Sequence, residues 1–126
     1  MVNSYFVYNN LKVNPFVLGD APFPGFDLVA WDGWTYGTLW DRGEDAGFTL
    51  IGKTKVHGQL WRLLEPTKLP ELEDFWGVTR GNNELSEVEI VVPINEIENE
   101  TIKAITYTLT KIDTSYKIVY DGKWKF

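Results

Sequence analysis

The stretch Ser4-Tyr5-Phe6-Val7-Tyr8-Asn9-Asn10-Leu11-Lys12 decides the reading of this chain. Residues 4–8 are aromatic or β-branched, the signature of a buried strand, and Asn9-Asn10 ends it in a loop. Working outward, Trp34-Thr35-Tyr36-Gly37-Thr38-Leu39-Trp40 reads as a second strand, followed by a polar turn at 41–47. Phe48–Ile51 reads as a short strand and Thr54–Leu63 as a longer one, with Gly58 inside it marking a bulge or a close backbone approach. Thr67 reads as the cap of a short helix over 68–76, with Pro70 in its first turn. Leu69, Leu72 and Trp76 share one face of that helix, and Gly77 ends it. Residues 85–92 and 102–109 read as strands, and Asp121-Gly122 is the turn of a C-terminal hairpin at about 114–126.

Between these elements, residues 13–33 read as irregular, because Pro15, Pro22 and Pro24 remove donors and fix φ. Phe16, Phe23 and Phe26 are interleaved with them, so the segment is expected to lie over the domain. The count is seven or eight strands with one short helix. The fold class is α+β: a small mixed β-barrel or strongly curved sheet with one or two short helices, in a single domain over 1–126.

The chain has 126 residues, enough to close one hydrophobic core. Its net charge of −6 argues against binding a phosphate backbone or an anionic membrane surface, both of which need clustered Lys and Arg. There is no Cys, which removes disulfides, thiolate nucleophiles and Cys-based metal sites. No apolar run approaches the roughly 20 residues of a spanning helix. The N-terminal residues carry no basic, apolar leader pattern, so the expected location is cytoplasmic.

Five segments, taken in order, resemble the gamma-glutamylcyclotransferase-like (avirulence-induced-protein-like) family over roughly residues 3–109. Val7-Tyr8-Asn9-Asn10-Leu11-Lys12 stands where that family has a strand ending in Tyr-Gly-Thr-Leu. Gly37-Thr38-Leu39-Trp40-Asp41 is similar to its Gly-Xaa-Leu-Tyr-Asp strand, and Val56-His57-Gly58-Gln59-Leu60-Trp61-Arg62 to Val-Xaa-Gly-Glu-Leu-Tyr. Leu72-Glu73-Asp74-Phe75-Trp76-Gly77 matches a helix ending Leu-Asp-Xaa-Xaa-Glu-Gly, and Ala104-Ile105-Thr106-Tyr107 a late Ala-Xaa-Xaa-Tyr strand.

The resemblance implies a chemistry that needs no cofactor. A gamma-glutamyl amine or peptide closes to 5-oxoproline as its own α-amine attacks the γ-carbonyl. Backbone donors of the Tyr-Gly-Thr-Leu loop hold the α-carboxylate, a proximity effect. A Glu moves the proton from the attacking amine to the leaving nitrogen. Here Asn9 and Asn10 replace the loop's Gly and Thr, and Trp76 replaces the Glu. An indole cannot shuttle that proton at neutral pH, so no catalytic residue is assigned. Asn tolerates left-handed φ, which would keep the loop's shape. Glu71, Glu73 and Asp74 turn away from the Trp76 face and read as a solvated flank, and Glu84 and Glu87 reach at most a pocket mouth.

The resemblance thus implies a domain that has lost catalysis. It would bind a small molecule or a protein through Tyr8, Asn9, Asn10, Leu11, Trp40, Trp61, Trp76 and Tyr107, as a monomer or homodimer, without metal or cofactor. An active divergent cyclotransferase is the alternative, and an interaction protein with a closed pocket the second. His57, the only His, reads as structural or surface, and Asp41, Glu44 and Asp45 as a polar turn rather than a cation site. Aromatics make up 15% of the chain; Trp31 and Trp34, beside the Phe/Pro segment, read as interface candidates.

Overall fold

The computed structural model describes residues 2–14 and 21–124. The chain forms β1 (Ser4–Val7), β2 (Phe26–Asp41), β3 (Ala46–Leu63), a 3-10 turn (Pro66–Lys68), α1 (Leu69–Phe75), β4 (Asn83–Pro93), β5 (Asn99–Leu109) and β6 (Lys117–Ile118). The mixed six-stranded sheet runs β3-β1-β5-β4-β2-β6. A further pairing of β3 with β2 closes the first five strands into a circuit, with β6 on the outer edge of β2.

Two seams of that circuit are thin. β1 meets β5 in parallel at one registered pair, Tyr5 with Ile105, and β2 meets β4 at one, Trp34 with Val91. The β4–β5 hairpin, by contrast, stays in register from Asn83↔Leu109 to Pro93↔Asn99. Tyr5, Phe6, Val7, Tyr8, Phe48, Val56, Leu60, Trp61, Ile90 and Tyr107 fill the interior, and α1 adds Leu72 and Trp76. Each such aromatic removes a large apolar area from water.

Several boundaries differ from the sequence reading. β2 begins at Phe26, inside the segment expected to be irregular. Register shifts between Leu28/Ala30 and Ala30/Gly33 break the period-2 pattern that would have shown it. Phe23 and Phe26 do lie over the domain, with ring centroids 5.4 Å from Phe75 and 5.7 Å from Trp61, respectively. Pro15 and Phe16 fall outside the described residues. The two strands expected at 48–51 and 54–63 are one strand. Pairing steps from Gly37↔Thr54 to Thr38↔Thr49, so residues 50–53 loop out, turning on Gly52 at φ 141°. Gly58 is a close approach, because a Cβ there would stand 2.6 Å from Val7 O.

The helix is shorter than 68–76, and Thr67 does not cap it. The 3-10 turn starting at Pro66 already encloses Thr67, and Lys68 stands at the N-cap without a side-chain bond. Gly77, at φ 84°, ends it as expected. At the C-terminus the Asp121-Gly122 turn exists, with Gly122 N donating to Val119 O at 3.1 Å. Its first arm pairs elsewhere than in a hairpin: Lys117 and Ile118 add to Asp41 and Trp40 of β2, whose edge is open there. The second arm bonds through Gly122 O to His57 N at 2.7 Å, and residues 125–126 lie outside the described residues.

Candidate functional site

β1 runs into the core and delivers Tyr8, fully buried, against the C-terminal end of α1. The Tyr8 ring lies 5.5 Å from the Trp76 indole, and Trp76 lies 4.9 Å from the Tyr107 ring of β5. Trp76 Nε1 donates to Tyr8 Oη at 3.2 Å, and Tyr8 Oη donates to Tyr107 O at 2.6 Å. Each buried polar atom of this stack therefore has a partner, which is what makes a dry aromatic cluster affordable. Burial pushes the Tyr8 hydroxyl far above the ordinary phenol range, so it is a fixed donor and not a proton acceptor by ionisation.

Tyr107 Oη donates to Glu73 Oε2 at 2.9 Å. This corrects the reading of Glu73 as a solvated flank: it is half-buried. Glu73 follows the inward Leu72 by about 100° of helix, and the Tyr107 ring is long enough to bring its hydroxyl to that side. Burial raises the Tyr107 hydroxyl, and the hydrogen bond to Glu73 raises it further.

The Asn9–Leu11 loop is closed on itself and on the β2–β3 turn. Asn9 Oδ1 accepts from Leu11 N at 3.1 Å, and Asn9 O accepts from Lys12 N at 3.1 Å. Asn10 N donates to Asp45 Oδ1 at 3.1 Å, and Asn10 Nδ2 to Glu44 O at 2.6 Å. Buried Gln59 accepts from Val13 N at 2.8 Å through Oε1 and returns a bond from Nε2 to Val13 O at 2.5 Å, a side chain acting as a strand partner. No described residue other than Gly has positive φ, so the left-handed conformation expected to preserve the loop is not used by Asn9 or Asn10. Asp45 Oδ1 accepts from Ala46 N as well, at 2.8 Å. Burial nonetheless raises its carboxyl, against the opposing pull of those N–H donors and of Arg42.

The expected binding residues fall into three places. Tyr8, Trp76 and Tyr107 form the buried stack. Asn9, Asn10, Leu11 and Trp61, with Phe23, border a recess of about 500 Å³. Trp40 joins neither: it points to the opposite face of β2 from buried Leu39, where its Nε1 donates to Thr49 Oγ1 at 3.0 Å. His57 Nδ1 lies 3.4 Å from Asp32 Oδ1 on the surface, and Lys55 Nζ sits 4.2 Å over the Trp34 ring. The grip of Asp45 on Asn10 was invisible to sequence reasoning; its only signal was two polar turns with matching donors and acceptors. Among the described residues, no three His, Asp or Glu side chains gather to hold a metal ion.

This sheet circuit, with a helix delivering residue 76 to its interior, is the gamma-glutamylcyclotransferase-like fold. A gamma-glutamyl cyclotransferase superposes over 92% of this chain and 69% of its own, at 17% identity and a TM-score of 0.65. An AIG2-like protein from Mus musculus matches over 98% of this chain and 88% of its own, at 15% identity and a TM-score of 0.70. YkqA from Bacillus subtilis matches at 14% identity and a TM-score of 0.65; this chain spans 98% of itself but 40% of that protein. No protein-family model matches the sequence, and no curated protein does. Among the described residues no helix is long and apolar enough to cross a membrane.

Proposed function

We propose that this domain has lost cyclotransferase chemistry and works by binding, taking a small molecule at the recess beside the Asn9–Leu11 loop. One observation carries the reading. The residue in the place of the family's acid is an indole, 4% exposed, held between Tyr8 and Tyr107 and donating to Tyr8 Oη. An indole N–H neither accepts nor delivers a proton at neutral pH. The loop supports the same reading, since the N–H groups of Asn10 and Leu11 are already committed to Asp45 and Asn9. The recess places the half-buried Phe23 ring beside the Asn9–Leu11 loop, over the buried Trp61, a mixed lining suited to a small ligand.

The test is 5-oxoproline release from a panel of gamma-glutamyl amines and dipeptides. The wild-type chain is expected to release none, and Trp76→Glu to remain inactive because the loop donors stay occupied. Turnover by Trp76→Glu alone would overturn the account of the loop. A second reading, an active enzyme with a relocated acid, is favoured by the Glu73 carboxylate that meets Tyr107 Oη. Wild-type turnover abolished by Glu73→Gln in a folded protein would establish that reading instead.

A further inference from the structure

Beyond the indole, on the outer side of the same turn, the lining changes character. Arg42 and Tyr116 face Arg80 and Asn82 across two adjoining recesses of about 470 and 400 Å³. Arg42 Nε donates to Tyr116 Oη at 3.4 Å, and its guanidinium lies 5.5 Å from the Tyr116 ring centroid, which fixes the fork in place. Arg80 folds back over Gly77: a Cβ built there would stand 3.4 Å from both Arg80 Nη2 and Asn83 Nδ2. Neither guanidinium joins an ion pair among the described residues, although the chain carries 18 Asp and Glu. Asp45 is near enough to feel Arg42 but does not pair with it, so both guanidiniums keep donors that a ligand carboxylate can take.

A second observation is independent of the first. Asn83, 4% exposed, lines the larger recess, and its Nδ2 donates to Trp76 O at 2.7 Å. Its Oδ1 is buried and accepts no hydrogen bond among the described residues, the one side-chain atom so placed. A buried acceptor left unmatched is destabilising, and a ligand donor would recover that loss. The acidic groups nearby are unequal. Asp45 is committed to Asn10 N and Ala46 N, and Asp113 in the neighbouring recess to Ser115, whereas the Glu44 side chain stays exposed at the rim.

We propose that this recess binds a small zwitterion, a free amino acid. Its carboxylate lies on Arg42 and Arg80, and its ammonium is offered to Asn83 Oδ1 and Glu44. A pure anion would leave Asn83 Oδ1 unmatched and meet Glu44 unfavourably; a pure cation would face two guanidiniums. The site stands whether or not chemistry survives at residue 76.

Isothermal titration of the whole chain with the free amino acids tests it, with acetate and methylamine as half-ligands. At least one amino acid is expected to bind saturably, and each half-ligand at least about tenfold more weakly. Arg80→Gln, at an exposed position, is expected to weaken that binding at least about tenfold without moving the unfolding temperature, and Arg42→Met to do the same to the binding. No saturable binding, or binding untouched by both Arg changes, overturns the proposal. So does acetate binding as tightly as the amino acid. Binding that survives both Arg changes but is lost in Trp61→Ala would move the ligand to the Asn9–Leu11 recess, sinking this site while supporting the preceding function.

Discussion

On the inner side of residue 76 the chain is dry: three large rings touch, and each hydroxyl and indole N–H there has a partner. On the outer side, starting one residue later at Gly77, two guanidiniums join no ion pair among the described residues, beside a buried amide oxygen that accepts no hydrogen bond from them. The two regions share a backbone turn and differ in what their polar atoms still lack. Where every donor and acceptor is matched within the protein, binding a ligand can only break bonds, and the region serves stability. Where they are unmatched, a ligand can complete them, and the region retains free energy for recognition. The indole fills the interior, while the backbone carbonyl of the same residue accepts from Asn83 Nδ2 at the edge of the outer recess.

That contrast can be broken most severely at the indole. Trp76→Ala is expected to cost about 3–5 kcal/mol, read by urea unfolding, because it opens a cavity in the aromatic stack and removes the donor that the Tyr8 hydroxyl accepts from. A loss under about 1 kcal/mol would mean the stack is not packed as described. Gly77→Ala comes next, at about 1–2 kcal/mol, since it forces a side chain into φ 84°. Trp76→Phe keeps an aromatic ring of smaller size and removes the Nε1 bond to Tyr8, an expected loss of about 1 kcal/mol or a little more.

Smaller still is a pH effect at Asp45. Burial raises its carboxyl, so the folded chain holds that proton more tightly than the unfolded chain. Stability from this group therefore falls as pH climbs from the unfolded carboxyl range to the raised folded value. Asp45→Asn keeps an Oδ1 acceptor and lacks the titration. Melting temperatures taken from about pH 4 to about pH 7 should show the variant gaining on the wild type as pH rises. Parallel curves would show that the carboxyl is not desolvated. Smallest is Arg80→Gln, expected within about 0.5 kcal/mol of wild type in stability, which separates the outer recess from the inner stack.

How much of this was legible depended on the reach of each signal. The strand at Ser4–Val7, the helix stop at Gly77 and the close approach at Gly58 rest on one or a few neighbouring residues, and they read correctly. The beginning of β2 did not, because two bulges shift its side chains out of a simple alternation. Trp40 was grouped with the pocket aromatics on strand position alone, but the face a strand residue takes depends on where the sheet closes. Glu73 was placed by helix angle alone, which cannot anticipate a hydroxyl arriving from β5, 34 residues away.

By itself, the sequence determined the type and order of most elements, the resemblance to a fold, and an indole at position 76 just before the helix-ending Gly77, because these depend on residue identity and short-range stereochemistry. Tertiary structure alone decided that Asp45 would take the Asn10 N–H, that Tyr107 would reach Glu73, and that Arg42 and Arg80 would line one recess. Those are contacts between turns and strands distant in the chain, and their partners are set by how the sheet closes and not by any local preference.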